Sequence, residues 1–148
     1  MFKHILVATD GSPLADRAIA TALRLARTCG RATRVTALMV VPDYGTFDVV
    51  KVTLEDGPSL DVLRERFAAE ARRRLDQVLR QHGSSERAEP EVAVSDFPYD
   101  EIVKTAQRLP CDLVVMAARG RGAMKSAVLG SQTSHVLTLA KIPVLVVK

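Results

Sequence analysis

The chain has no tryptophan, only two cysteines, and aromatic residues at just 4% of its length. Each scarcity removes a class of function. Without aromatics there is no stacking platform for single-stranded nucleic acid. Cys29 and Cys111 lie far apart and form no CxxC, so in a reducing compartment they read as buried thiols rather than as a redox pair. The histidines His4, His82 and His135 are scattered, with none of the spacings that hold a metal, and read as surface or packed side chains. No apolar run approaches the roughly 20 residues that a membrane helix needs. The opening MFKHILVATDGS has too short an apolar run for a signal peptide, and an aspartate and a glycine follow it at once. The expectation is a cytoplasmic protein that does not enter a membrane.

What remains is an ordinary globular composition over 148 residues, 47% hydrophobic and 26% charged, enough for one domain spanning residues 1–148. The net charge of +4 raises a nucleic-acid partner. The densest basic cluster, Arg72, Arg73 and Arg74, shares its helix with Glu65, Glu70 and Asp76 and reads as a solvated face. Nucleic acid is therefore not the expected partner.

Hydrophobic periodicity alternates along the chain. His4 to Ala8 is a short apolar run of the kind that forms a strand covered on both faces. Ser12 and Pro13 open a helix as N-cap and first helical residue, Asp16 sits in its first turn, and Gly30 closes it. Val35 to Val41 is a second strand, stopped by Pro42. From Pro42 to Ser59 the pattern does not resolve, and Val49 to Leu54 reads either as a small extra strand or as part of a lid. Leu60 to Gln81 is a helix with Leu60, Leu63, Phe67, Ala71, Leu75, Val78 and Leu79 at spacings of three and four. Ser84 to Pro90 reads as polar loop, Glu91 to Ser95 as a third strand, and Pro98 to Leu109 as a helix. Asp112 to Ala117, Gly130 to Ala140 and Pro143 to Val147 complete the order as strand, helix and strand. The alternation predicts an α/β fold: an open, parallel, five-stranded sheet with helices on both faces, Rossmann-like. In such sheets a ligand sits beyond the carboxyl ends of the strands, where the strand order reverses. Three loops with suggestive chemistry leave those ends: Thr9-Asp10-Gly11, Val40-Val41, and the stretch from Met116 to Ser134, MAARGRGAMKSAVLGSQTS.

That last stretch is not a Walker A loop, since Gly122-Ala-Met-Lys125-Ser126 lacks the first glycine and places the lysine late. Nor is it a dinucleotide fingerprint, because Gly120-x-Gly122 follows the fourth strand and lacks the third glycine. The underlying chemistry still suits an anion. Glycines let backbone N–H groups come close and adopt positive φ. Gly130, Ser131 and Thr133 open a helix, and Arg119, Arg121 and Lys125 add positive charge. On local chemistry alone, a flexible basic loop with an ordinary helix cap fits equally well.

The chain resembles the universal stress protein family over essentially its full length. The resemblance rests on the opening strand ending Ala8-Thr9-Asp10-Gly11-Ser12, the loop Gly120-Arg121-Gly122, and the closing Ile142-Pro143-Val144-Leu145-Val146-Val147. It rests also on spacing: Gly120, the nine residues Arg121 to Leu129, then Gly130-Ser131 match the family's nucleotide-binding pattern of G-x-x-G, nine residues and G-[ST]. Ala117 stands where that pattern has its first glycine, and Arg119 where the family often has histidine. If position 117 needed positive φ, alanine would cost about 1 kcal/mol.

The resemblance implies strand order 3-2-1-4-5 and an ATP site with Mg2+ held mainly through the phosphates. It places Asp10 on the adenosine side of the ligand, with Ala8 and Thr9 shaping the pocket and Val40 meeting the adenine through its backbone. Met116 and Ala117 line the floor. Gly120, Arg121, Gly122, Gly130, Ser131 and Thr133 hold ribose and phosphates by N–H and hydroxyl groups, Gln132 contributes backbone only, and Arg119 reaches phosphate or solvent. It further implies a nucleotide-dependent signalling or stress-response module, paired as a homodimer through Val144 to Val147. No histidine or glutamate falls in the three loops, so any ATP hydrolysis is expected to be slow. The alternative is a protein-interaction module of the same fold that has lost nucleotide binding.

Overall fold

The computed structural model describes residues 1–43, 57–83, 87–121 and 129–148. Five strands, β1 (His4–Thr9), β2 (Arg34–Val41), β3 (Ala88–Val94), β4 (Leu113–Ala117) and β5 (Val144–Val147), form one sheet. Every pairing is parallel and the order is β3-β2-β1-β4-β5, as expected. Four helices connect them: α1 (Pro13–Cys29), α2 (Leu60–Gln81), α3 (Pro98–Arg108) and α4 (Ser131–Leu139).

The sheet is buried on both faces, which is why its central strands read as continuous apolar runs. Ile5, Val7, Leu113 and Val115 face one core with Ile19 and Leu23 of α1 and Leu75 and Leu79 of α2. Leu6, Ala8, Val114 and Met116 face the other with Ile102 and Ala106 of α3 and Val136 of α4. Local signals set the helix ends. Ser12 accepts from the Ala15 N–H at 3.2 Å, and Gly30 closes α1 at φ 128°. Ser59 caps α2 in the same manner. His4 is a packed histidine: Nδ1 donates to the Leu109 carbonyl, and Nε2 shares a hydrogen bond with Thr36 Oγ1 at 2.8 Å.

Two expectations need correction. The third strand begins at Ala88, inside the segment read as loop. Pro90 made that stretch look broken, yet β3 is the sheet's edge. The Arg87 carbonyl accepts from the Val35 N–H at 2.8 Å, so odd-numbered residues turn their backbone groups toward β2 and Pro90 turns outward, where no donor is needed. The apolar stripe of α2 is also only half used. Ala71, Leu75 and Leu79 are buried, Leu60 and Leu63 are half-buried, and Phe67 is exposed. A helix of this length spans roughly 33 Å, while the seven-residue edge strand spans roughly 23 Å. One end of α2 therefore overhangs the sheet. Val49 to Leu54 lies outside the described residues.

Candidate functional site

A cavity of about 710 Å³ opens at the carboxyl ends of β1 and β4, on either side of the point where strand order reverses. That is within the usual size of a small-molecule site. One side is apolar: Leu38, Val40, Pro42, Pro98, Ile102 and Met116 form a slot. The other is polar and glycine-bearing, with Thr9, Asp10, Arg119, Gly120, Arg121, Gly130, Ser131, Gln132 and Thr133. Ala8 and Ala117 complete the floor. Every residue singled out from the sequence lines this one space except Gly122, which lies outside the described residues, as does Lys125.

Asp10 organises the polar side. Its Oδ1 accepts from the Ser12 N–H at 2.9 Å, and its Oδ2 accepts from the Arg121 N–H. Burial pushes the carboxyl up. The Ser12 hydroxyl and the backbone N–H groups of Ser12 and Arg121 outweigh that and hold it below its ordinary value. The carboxylate also explains Gly120. A Cβ there would stand 2.7 Å from Asp10 Oδ2, so glycine is needed for close approach. Positive φ is not the reason for glycine there: the described glycines with positive φ are Gly11, Gly30 and Gly83.

Val40 offers a backbone acceptor. Even-numbered residues of β2 face β1, as the Arg34 N–H to Lys3 carbonyl bond shows. The last rung pairs Thr9 with Met39. The Gly11 N–H, next in sequence to serve this ladder, turns instead to Thr9 Oγ1 at 3.0 Å. Among the described residues this leaves the Val40 carbonyl without a strand partner at the cavity wall.

Ala117 is a strand residue in register with Val147, so its backbone is extended and no left-handed conformation is asked of it. The alanine costs nothing conformationally. Gly130 precedes α4 at φ −75°, and among the described residues no side chain caps that helix. The N–H groups of its first turn face the cavity end with their partial positive charge.

Several expected donors are engaged within the protein. The Gly130 N–H donates to the Ala118 carbonyl at 2.8 Å. The buried Thr133 hydroxyl donates to the Ala117 carbonyl at 2.9 Å. The Arg121 N–H belongs to Asp10. Those three groups shape the site from behind and are not free to hold a phosphate. The Gln132 side chain has a part of its own within the protein: its Oε1 accepts from the Tyr99 N–H at 2.9 Å. That bond supplies α3 with the cap that Phe97, at the N-cap position, does not provide.

Sequence reasoning did not assign Pro98 or Ile102 to the site, although α3 carries both to the same carboxyl-end crevice. Arg74 is exposed, as a solvated face implies, and it also reaches from α2 to the Gly11 carbonyl. Leu38 and Ile102 were legible as inward-facing positions of their elements, whereas Arg74 left no local signal.

Among the described residues no three His, Cys, Asp or Glu side chains are grouped to hold a metal ion. Asp10 is the carboxylate among the described lining residues, and both its oxygens already accept backbone N–H groups.

Fold and site together define a doubly wound α/β protein with one ligand-sized crevice at its switch point. The universal stress protein family model matches residues 1–148, and the chain belongs to that family. A universal stress protein of Thermus aquaticus is 35% identical over 155 aligned positions, covering all of both chains. UspA of Lactobacillus plantarum superposes with a TM-score of 0.79 at 29% identity, covering 99% of this chain and 97% of that one. An Arabidopsis thaliana family member with AMP bound shares the fold, with a TM-score of 0.63 at 18% identity over 99% and 91% of the two chains. No helix among the described residues is long and apolar enough to cross a membrane.

Proposed function

We propose that this chain binds an adenine nucleotide, ATP with Mg2+ carried on its phosphates, and that occupancy serves as a signal in a stress response. The observation that carries this reading is the two-sided cavity. Its apolar slot suits a planar base, with the Val40 carbonyl at its wall to read an amino group. Its polar side offers Asp10 to a ribose hydroxyl, and the Arg121 guanidinium and the start of α4 to phosphates. AMP in the Arabidopsis thaliana relative shows an adenine nucleotide in a protein of the same fold. The support for this chain comes from its own lining residues. Magnesium carried on the phosphates would supply charge neutralisation there, while this chain's residues would orient the nucleotide and exclude water.

The second reading, an interaction module without nucleotide, draws on the internal engagement of the Gly130 N–H, the Thr133 hydroxyl and the Arg121 N–H. Calorimetric titration of ligand-stripped protein with Mg–ATP separates the two. A Cβ at Gly130 meets only ordinary contacts, the nearest at 3.5 Å, so Gly130→Val should fold while adding bulk to a residue that lines the cavity. Micromolar heat in the wild type and its loss in Gly130→Val is the expected result. Absence of heat or competition with any adenine nucleotide favours the interaction module.

A further inference from the structure

Two guanidinium groups from distant parts of the chain meet at one backbone carbonyl. Arg74 of α2 donates to the Gly11 carbonyl, and Arg121 Nη2, beyond β4, donates to the same oxygen at 3.2 Å. The position a Cβ of Gly11 would take lies 2.9 Å from Arg74 Cζ and 3.2 Å from Arg121 Nη2, so these groups are no more than about 6 Å apart. A neutral carbonyl gives two full charges only a dipole. Two carboxylates share a groove with Arg74, and among the described residues neither forms an ion pair with it. Asp16 and Glu70 line the same groove between α1 and α2, but Glu70 pairs with Arg73, and Asp16 Oδ1 has no hydrogen-bond partner among the described residues. Each guanidinium has five N–H donors and uses one or two here, so both can keep Gly11 and still accept an anion.

Arg121 lines the cavity, Arg74 lines the groove between α1 and α2, and the two meet at the Gly11 carbonyl. The pair therefore links the cavity's polar side to that groove. We infer that Arg74 and Arg121 form a clamp for the terminal phosphate of a nucleoside triphosphate, and that Arg74 sets a preference for triphosphate over monophosphate. The clamp rests on the nucleotide reading above and adds to it a residue and a phosphate count. An ionised phosphate accepting from two forks makes charge-assisted bonds that a monophosphate, held further inside, does not reach.

The test is titration of wild type and Arg74→Gln with Mg–ATP and with AMP, together with thermal unfolding in tripolyphosphate. The wild type should bind ATP at least about tenfold tighter than AMP, and Arg74→Gln should weaken ATP about tenfold while leaving AMP within about twofold. Arg74→Lys, which keeps the charge without the fork, should fall between. Tripolyphosphate should raise the unfolding temperature of the wild type and not of Arg74→Gln. An ATP-to-AMP ratio unchanged by Arg74→Gln overturns the clamp and leaves Arg74 as a latch between α2 and the β1–α1 turn. If no adenine nucleotide binds the wild type, the nucleotide reading fails and the nucleotide clamp falls with it, whereas nucleotide binding that Arg74→Gln leaves unchanged overturns the clamp alone.

Discussion

Asp10 is the residue on which most of the site hangs. Its carboxylate orders the Gly11-Ser12 turn from one oxygen and the Arg121 backbone from the other. Because the folded carboxyl sits below its ordinary value, it contributes stability above the unfolded value, near 3.8, and that contribution disappears as pH falls through the lower folded value. Asp10→Asn should cost about 1 kcal/mol at neutral pH, the lower end for charged hydrogen bonds since the group is only half-buried. It should also flatten the acid limb of the stability curve, which denaturant unfolding between about pH 2 and 7 would reveal. An unchanged acid limb would show that other carboxylates dominate. Cys111 is the opposite case. Burial, with a smaller effect from Asp112, pushes its thiol up to about 11. Iodoacetamide at pH 8 should leave it unmodified in the folded protein and label it after unfolding, as mass spectrometry would read. Labelling at equal rates in both states would contradict its burial.

At the scale of elements, α3 depends on a neighbour for its start. Phe97 cannot cap it, and Gln132 from α4 accepts the Tyr99 N–H instead. Gln132→Ala should lower stability by about 1 kcal/mol, the usual cost of losing a cap, measured by thermal unfolding. A neutral result would mean that water replaces the amide. The bond explains why some of the site was readable and some was not. Strands and helices follow from period and cap, so β1, α1 and β4 are visible in HILVA, in Ser12-Pro13 and in DLVVMA. Pro90 hid the start of β3 because the edge position that excuses a proline is a property of the assembled sheet. Asp10 and Gly120 were visible as chemistry at strand ends, but the reason for Gly120 is a carboxylate that is distant in sequence. Arg74 and Gln132 act across 63 and 33 residues, and nothing in their own neighbourhoods marks them.

For the molecule as a whole, the β5 edge and its neighbouring helix both carry exposed apolar side chains. Leu137 and Leu139 of α4 and Leu145 of β5 are 42%, 46% and 38% exposed. An edge strand in such company is a surface for another copy, and a homodimer through Val144 to Val147 is the assembly we propose. Sedimentation equilibrium should show a dimer, and Leu145→Lys should shift it to monomer without loss of the folded far-ultraviolet signal. A monomeric wild type would end that proposal.

Pro90 bears on how far such assembly can go. A flat parallel sheet with two hospitable rims is a seed for endless strand addition, the route to filaments. Here the β3 rim presents, midway along, a ring where an incoming strand would look for a donor. In the homodimer proposed above, pairing is left to the β5 rim, and two copies joined there would leave only their β3 rims outward. The same proline that disguised a strand would then make that assembly finite, closed at two.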